Sequence, residues 1–205
     1  YDYYIFIDDD VSFKEDDIAT KIHNLLVEYK PISGTFYDAD RQWHCPRNMS
    51  KSEQTEVHPI CSFDLAVRIF SQSCADVLFP RIWHCEDIPR FNQYAIYKLY
   101  PKKQMMFYDI RFDNDHSRDQ DLLKFDDPSE GNQFLSEIVD NEIWDEYHKS
   151  GHEWKKKIFN INKQFLGEEV SKEEVVFTLE DYGKIVDINS DKFKNRKCVY
   201  EHTNI

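Results

Sequence analysis

Glycine is scarce in this chain, five in 205 residues, and none forms a GxGxxG turn or a phosphate-cradling loop. Folds that hold a dinucleotide or triphosphate on such a loop are thereby excluded. Long hydrophobic runs are also missing. None approaches the ~20 residues that cross a bilayer, and no charged-then-apolar leader opens the sequence, so no membrane anchor is expected within these residues. Basic residues are in deficit, 26 Lys and Arg against 39 Asp and Glu, for a formal net charge of −13. That balance argues against nucleic acid as a partner, because backbone binding relies on basic groups. It leaves a nucleotide admissible, since one bound cation holds its few phosphates. No CxxC pair occurs among the five cysteines (Cys45, Cys61, Cys74, Cys85 and Cys198). They read as free thiols, with one or two disulfides as the alternative. The compartment this implies is the cytoplasm; a secretory-pathway lumen is the alternative if an anchor precedes residue 1.

What is present is material for a core: 40% hydrophobic residues and 15% aromatic ones. The run Tyr3-Tyr4-Ile5-Phe6-Ile7 is continuously apolar, as a buried parallel strand is, and ends abruptly in Asp8-Asp9-Asp10. Ile18, Ile22, Leu25, Leu26 and Tyr29 recur at helical spacing, predicting a helix over 15–29 ended by Pro31. Strands are expected at 32–38, 60–71 and 105–112, with helices at 72–79 and, opening near Pro89, at 89–100. The polar stretch 39–57 reads as a loop over the site. Beyond a charged stretch at 117–130, helices are predicted at 132–149 and 152–166, and two or three short strands over 173–200 with a turn at Gly183. The expected class is α/β, with residues 1–120 as the metal- and acceptor-facing part and 121–205 as an α+β extension. A sheet whose ligand-bearing strand comes first needs neighbours from elsewhere, so a portion of a longer protein is the expectation.

The acidic triplet is where chemistry is expected. Three adjacent carboxylates repel one another unless a cation neutralises them. Asp8 and Asp10, two apart, share one side of an extended chain and offer hard oxygen ligands suited to Mg2+ or Mn2+. A solvated acidic turn after a strand is the plainer alternative.

The segment from Tyr3 to Val11 resembles the DxD segment of GT-A-fold glycosyltransferases. The resemblance implies a GT-A-like, Rossmann-like mixed sheet flanked by helices, a nucleotide-sugar donor, and a glycan or lipid-linked sugar acceptor. It implies Asp10 as a direct metal ligand, Asp8 as a contact to the metal or the donor's ribose, and Asp9 beside the donor sugar. Family members often add a ligand from a His after a later strand, a position that His116 fits; Asp113 and Asp115 flank it and would orient its ring. An exposed loop histidine is the alternative. The segment Trp83-His84-Cys85-Glu86-Asp87 resembles the acidic pair that inverting members place at the start of an acceptor-side helix. Asp87, or else Glu86, would take the acceptor hydroxyl's proton, with helix capping as the other reading of both. The resemblance covers residues 1–120. The family's base-binding strands ahead of the motif have no counterpart here.

Other constellations carry less. His44, Cys45, His58, Cys61, His84 and Cys85 lack the spacing of a structural zinc site. Trp43 and Trp83 are candidates for stacking on a sugar, with core packing preferred for Trp83. Tyr94, Tyr97 and Tyr100 read as a packed helix face, and Lys155-Lys156-Lys157 as a solvated face or a peripheral membrane contact. Two other functions fit the same triplet. One is a haloacid-dehalogenase-like phosphatase, although Ser12 stands where that motif commonly has Thr or Val and no lysine followed by an Asp-Asp pair is evident downstream. The other is a non-catalytic carbohydrate- or metal-binding remnant.

Overall fold

The computed structural model describes residues 2–38, 57–61, 63, 66–79, 87–114, 128–148 and 168–195. The strands are β1 (Tyr3–Ile7), β2 (Val11–Phe13), β3 (Ser33–Asp38), β4 (Val57–Pro59), β5 (Val67–Ser71) and β6 (Gln104–Asn114). The helices are α1 (Ile18–Tyr29), α2 (Gln72–Leu78), α3 (Asp87–Leu99), α4 (Pro128–Ile138), α5 (Asn141–His148), α6 (Leu179–Tyr182) and α7 (Asp191–Asn195). This is an α/β arrangement, a mixed sheet flanked by helices.

The strand order is β1-β5-β3-β6-β2, with β4 also on β6. Among the described strands only β3 and β6 run parallel. β3 lies along one flank of β6, so the opposite flank is shared: β4 pairs with Met105–Phe107 and β2 with Phe112–Asn114. Close approach of β3 to β6 requires Gly34, where a Cβ would run into the Met105 carbonyl oxygen.

Chain geometry forces this sheet to curl. β1 and β2 stand at opposite ends of the strand order, and in a flat sheet four intervals of ~4.8 Å would hold them about 19 Å apart. Only Asp8, Asp9 and Asp10 join them, and the four Cα steps from Ile7 to Val11 reach at most about 14 Å fully extended. A turn tightens the link further, the Val11 N–H donating to the Asp8 carbonyl at 3.2 Å. The sheet is nearly a barrel, and the acidic triplet is its seam.

Two apolar layers cover the sheet. α1 packs on one face through Leu25, Leu26 and Tyr29, against Phe36, Ile69, Phe107 and Phe112. On the other face Ile32, Phe70, Phe91 and Tyr94 share a core with Phe134, Leu135, Phe177 and Tyr182. Among the described residues of the stretch expected as an extension, Phe134, Leu135, Phe177 and Tyr182 thus share a core with residues of the first 120.

Several expectations need correction. β1 is a strand as expected, but antiparallel and terminal in the strand order rather than parallel and central, with Phe6 and Ile7 substantially exposed. The strand expected over 60–71 shrinks to Val67–Ser71, and β2 and β4 were not foreseen. The helix expected at 132–149 is two helices, because the Asp140 carboxylate accepts from the Glu142 and Ile143 N–H groups and starts α5 anew. Residues 173–200 do not form strands in their described part. A capping box, Thr178 with Asp181, begins α6, the turn at Gly183 follows, and a single bridge joins Val139 to Val186. The expected loop at 39–57 (all but Val57) and helix at 152–166 lie outside the described residues.

Candidate functional site

The acidic triplet closes the seam, so its geometry follows from its neighbours. The Asp8 N–H donates to the Ala66 carbonyl at 2.9 Å, continuing the β1–β5 ladder one residue past the strand. The Val11 N–H then returns to the Asp8 carbonyl, making Asp8 to Val11 a β-turn with Asp9 and Asp10 at its two corners. The alternation expected of an extended chain, with Asp8 and Asp10 to one side, therefore does not apply. Asp8 and Asp9 are exposed and Asp10 is half-buried.

One cation reaches the turn from the sheet. Arg68 on β5 stands opposite Phe6 in the register, its guanidinium 5.7 Å from the centre of the Phe6 ring. Its Nη2 lies 3.7 Å from Asp8 Oδ1, an ion contact longer than a hydrogen bond. The Nε–H of Arg68 is enclosed and has no acceptor. Sequence reasoning passed over this residue. The available signal was a charge inside an apolar strand, Val67-Arg68-Ile69.

The far end of β6 meets the turn from the other side. Val11 is the register partner of Asn114, and Ser12 that of Asp113. Asp113, expected to orient His116, forms an ion pair with Lys14. Asp115 and His116 lie outside the described residues, two peptide units being all that separates His116 from Asn114. Asp87 is the first residue of α3, while Glu86, Trp43 and Trp83 lie outside the described residues. Among the described residues no group of three or more His, Cys, Asp and Glu is gathered as a metal ion requires; the expected set needs His116.

His58 and Cys61 are buried in strand and core surroundings. His58 sits edge-on to Tyr108, ring centres 5.0 Å apart, and burial lowers its pKa to about 4. Cys61 and Cys74 are free thiols; the other three cysteines fall outside the described residues. Tyr94 is fully buried on α3, with Tyr97 and Tyr100 packed on the same core, as a helix face requires. Two surface cavities, of about 450 and 400 Å3, are lined elsewhere, one by Ser136–Asn141 with Gly183–Asp187 and the other beside Val27, Lys30 and Val176. No helix among the described residues is long and apolar enough to cross a membrane.

The turn thus offers up to three carboxylates, one guanidinium and the approach of β6. A divalent cation would neutralise the carboxylates and leave coordination sites for an anionic ligand. Comparison with known protein families, curated proteins and solved structures returned no match to this chain.

Proposed function

We propose that this chain is the metal-holding and acceptor-facing part of a glycosyltransferase, moving a sugar from a nucleotide-sugar donor to a hydroxyl of a glycan or glycolipid. The observation that carries the reading is the pairing of Val11 with Asn114, which brings the acidic turn and the chain that leads into Asp115-His116 to one point of the sheet. A finer, GT-A-like assignment of the sheet belongs to the same reading.

In this reading Asp10, Asp8 and His116 would hold Mn2+ or Mg2+, and Asp9 would lie beside the donor sugar. Such a cation would supply positive charge to the leaving diphosphate. Asp87, the first residue of α3, or Glu86 before it in sequence would remove the proton of the acceptor hydroxyl if the reaction inverts. A retaining reaction dispenses with that base.

Thermal unfolding in the presence of Mn2+ and a panel of nucleotide sugars tests the reading. Metal and nucleotide sugar together should raise Tm by several degrees, corresponding to a ligand well above its Kd, and Asp10→Asn should remove the effect. A Tm indifferent to every combination sinks the proposal.

A second reading has its own observation. Asp8 and Asp9 are exposed, and Arg68 already offsets the charge of Asp8, so a solvated, non-catalytic acidic turn accounts for the triplet without a cation. An indifferent Tm would support it. The antiparallel, terminal β1 supports neither the phosphatase alternative nor a GT-A-like strand order.

A further inference from the structure

β1 has an edge that no described strand covers. The Gln72 N–H donates to the Asp2 carbonyl and the Asp8 N–H to the Ala66 carbonyl, each at 2.9 Å. Such bonds fall on every second residue of an antiparallel pair. Asp2, Tyr4, Phe6 and Asp8 therefore face β5 through their backbone groups, and Tyr3, Ile5 and Ile7 turn theirs to the other side. Among the described residues those outward N–H and C=O groups meet no backbone partner. β2 does not reach them. Tyr4 and Ile5 stand level, across β5 and β3, with Gln104 and Met105 at the start of β6, whereas β2 pairs with Phe112–Asn114 at its far end.

Solvent edges of native sheets are blunted by lysine, proline or a bulge. Tyr3–Ile7 carries none of these, being five unbroken apolar residues with Phe6 39% and Ile7 47% exposed. Beside its Tyr3 end lies the cavity of about 400 Å3, walled in part by the exposed Val27 and Val176. Charge sits at the two ends. Asp2, Asp76 and Glu174 line the cavity together with Lys30, and Asp8, Asp9 and Asp10 follow Ile7, with Arg68 beside Asp8. Both ends are thus acidic on balance. A second copy of β1 is a poor occupant: antiparallel pairing centred on Ile5 sets Asp2 against Asp8, and parallel in-register pairing sets each against its own kind.

We propose that the outer edge of β1 takes up an extended segment of a partner protein, apolar along its middle and carrying lysine or arginine at both ends. The segment adds to the sheet as a further strand. Its alternate residues exchange main-chain hydrogen bonds with Tyr3, Ile5 and Ile7. Its apolar side chains cover Phe6 and reach the cavity by Val27 and Val176, while its end cations meet the acidic residues there and beyond Ile7. The proposal stands without the sugar-transfer reading, and either can fail alone.

Selection from a phage-displayed library of random decapeptides against the intact chain tests this. Enriched sequences should place apolar residues between basic ends; no enrichment, or acidic ends, overturns the proposal. The strongest sequence, made as a free peptide, should slow amide exchange of Tyr3, Ile5 and Ile7 at least tenfold, while Tyr4 and Phe6, already bonded to β5, change less than threefold. Ile5→Pro removes one outward donor and no β5 bond, so it should weaken that peptide at least tenfold. If the proline variant does not fold, N-methylation of the peptide on alternate residues tests the same edge with the chain intact. One of the two alternating sets should cost at least tenfold and the other less than threefold. Asp2→Lys combined with Glu174→Lys should cost at least fivefold. Affinity indifferent to all of these changes overturns the edge. A dimer in sedimentation, lost in Ile5→Pro, makes the occupant a second copy and overturns the partner.

Discussion

His58 shows how far a single side chain depends on where the fold puts it. In sequence it is one of several His and Cys residues that tempt a zinc reading; in the fold it is 2% exposed on β4, facing the Tyr108 ring. Burial disfavours the imidazolium and sets its pKa at about 4, against an ordinary 6.5. The unfolded chain therefore takes up a proton below pH 6.5 while the native chain does not. The stability that His58 contributes is complete above that pH and is lost as pH falls toward 4. At pH 5 the loss is on the order of 2 kcal/mol. Urea unfolding of the wild type and of His58→Phe at pH 7 and pH 5 isolates this part from the carboxylates that both proteins share. The variant should show the smaller acid-induced drop, and equal drops would refute the linkage. Arg68 makes a complementary point. Its partners, Phe6 and Asp8, are about sixty positions away in sequence, so nothing local marks it, whereas the aspartates announce themselves by adjacency.

Elements were legible where periodicity is long and capping local. The helices α1, α2 and α3 and the long strand β6 lie close to where their apolar spacing and prolines put them. Strand placement was not legible. A continuous apolar run such as Tyr3–Ile7 reads as buried on both faces, yet the same run lies at the end of the strand order, its last two residues exposed. Three-residue strands carry too little pattern to be seen, and β2 and β4 are both of that length. The signal that α6 is a helix was present in Thr178-Leu179-Glu180-Asp181, a capping box that outweighs the alternation around it. Asp140 plays a similar part between α4 and α5, satisfying two N–H groups at the start of α5. Asp140→Ala should cost about 1 kcal/mol, read as a lower urea midpoint at unchanged slope. A midpoint equal to that of the wild type would show the break between the helices to be set by packing alone.

Across the whole molecule, the class of the fold follows from the mixture of helical and strand periods, but the curl of the sheet follows from connectivity, which no local pattern encodes. The near-closure of the sheet means that the two strands flanking the aspartates do not pair with each other. β1 waits for Val67–Ser71 and β2 for Phe112–Asn114, and such distant pairings are slow to form because the intervening chain must be ordered first. β1 and β2 are accordingly among the last strands to be fixed. A chain ending at residue 103 would lack β6 altogether, and with it the central strand that β2, β3 and β4 share. Hydrogen exchange should find Val11–Phe13 unprotected in that shortened chain and protected in the full one; protection in both would contradict the pairing. The carboxylate turn is thus an assembly-dependent feature, created only when Phe112–Asn114, about a hundred positions downstream, arrive to hold it in place.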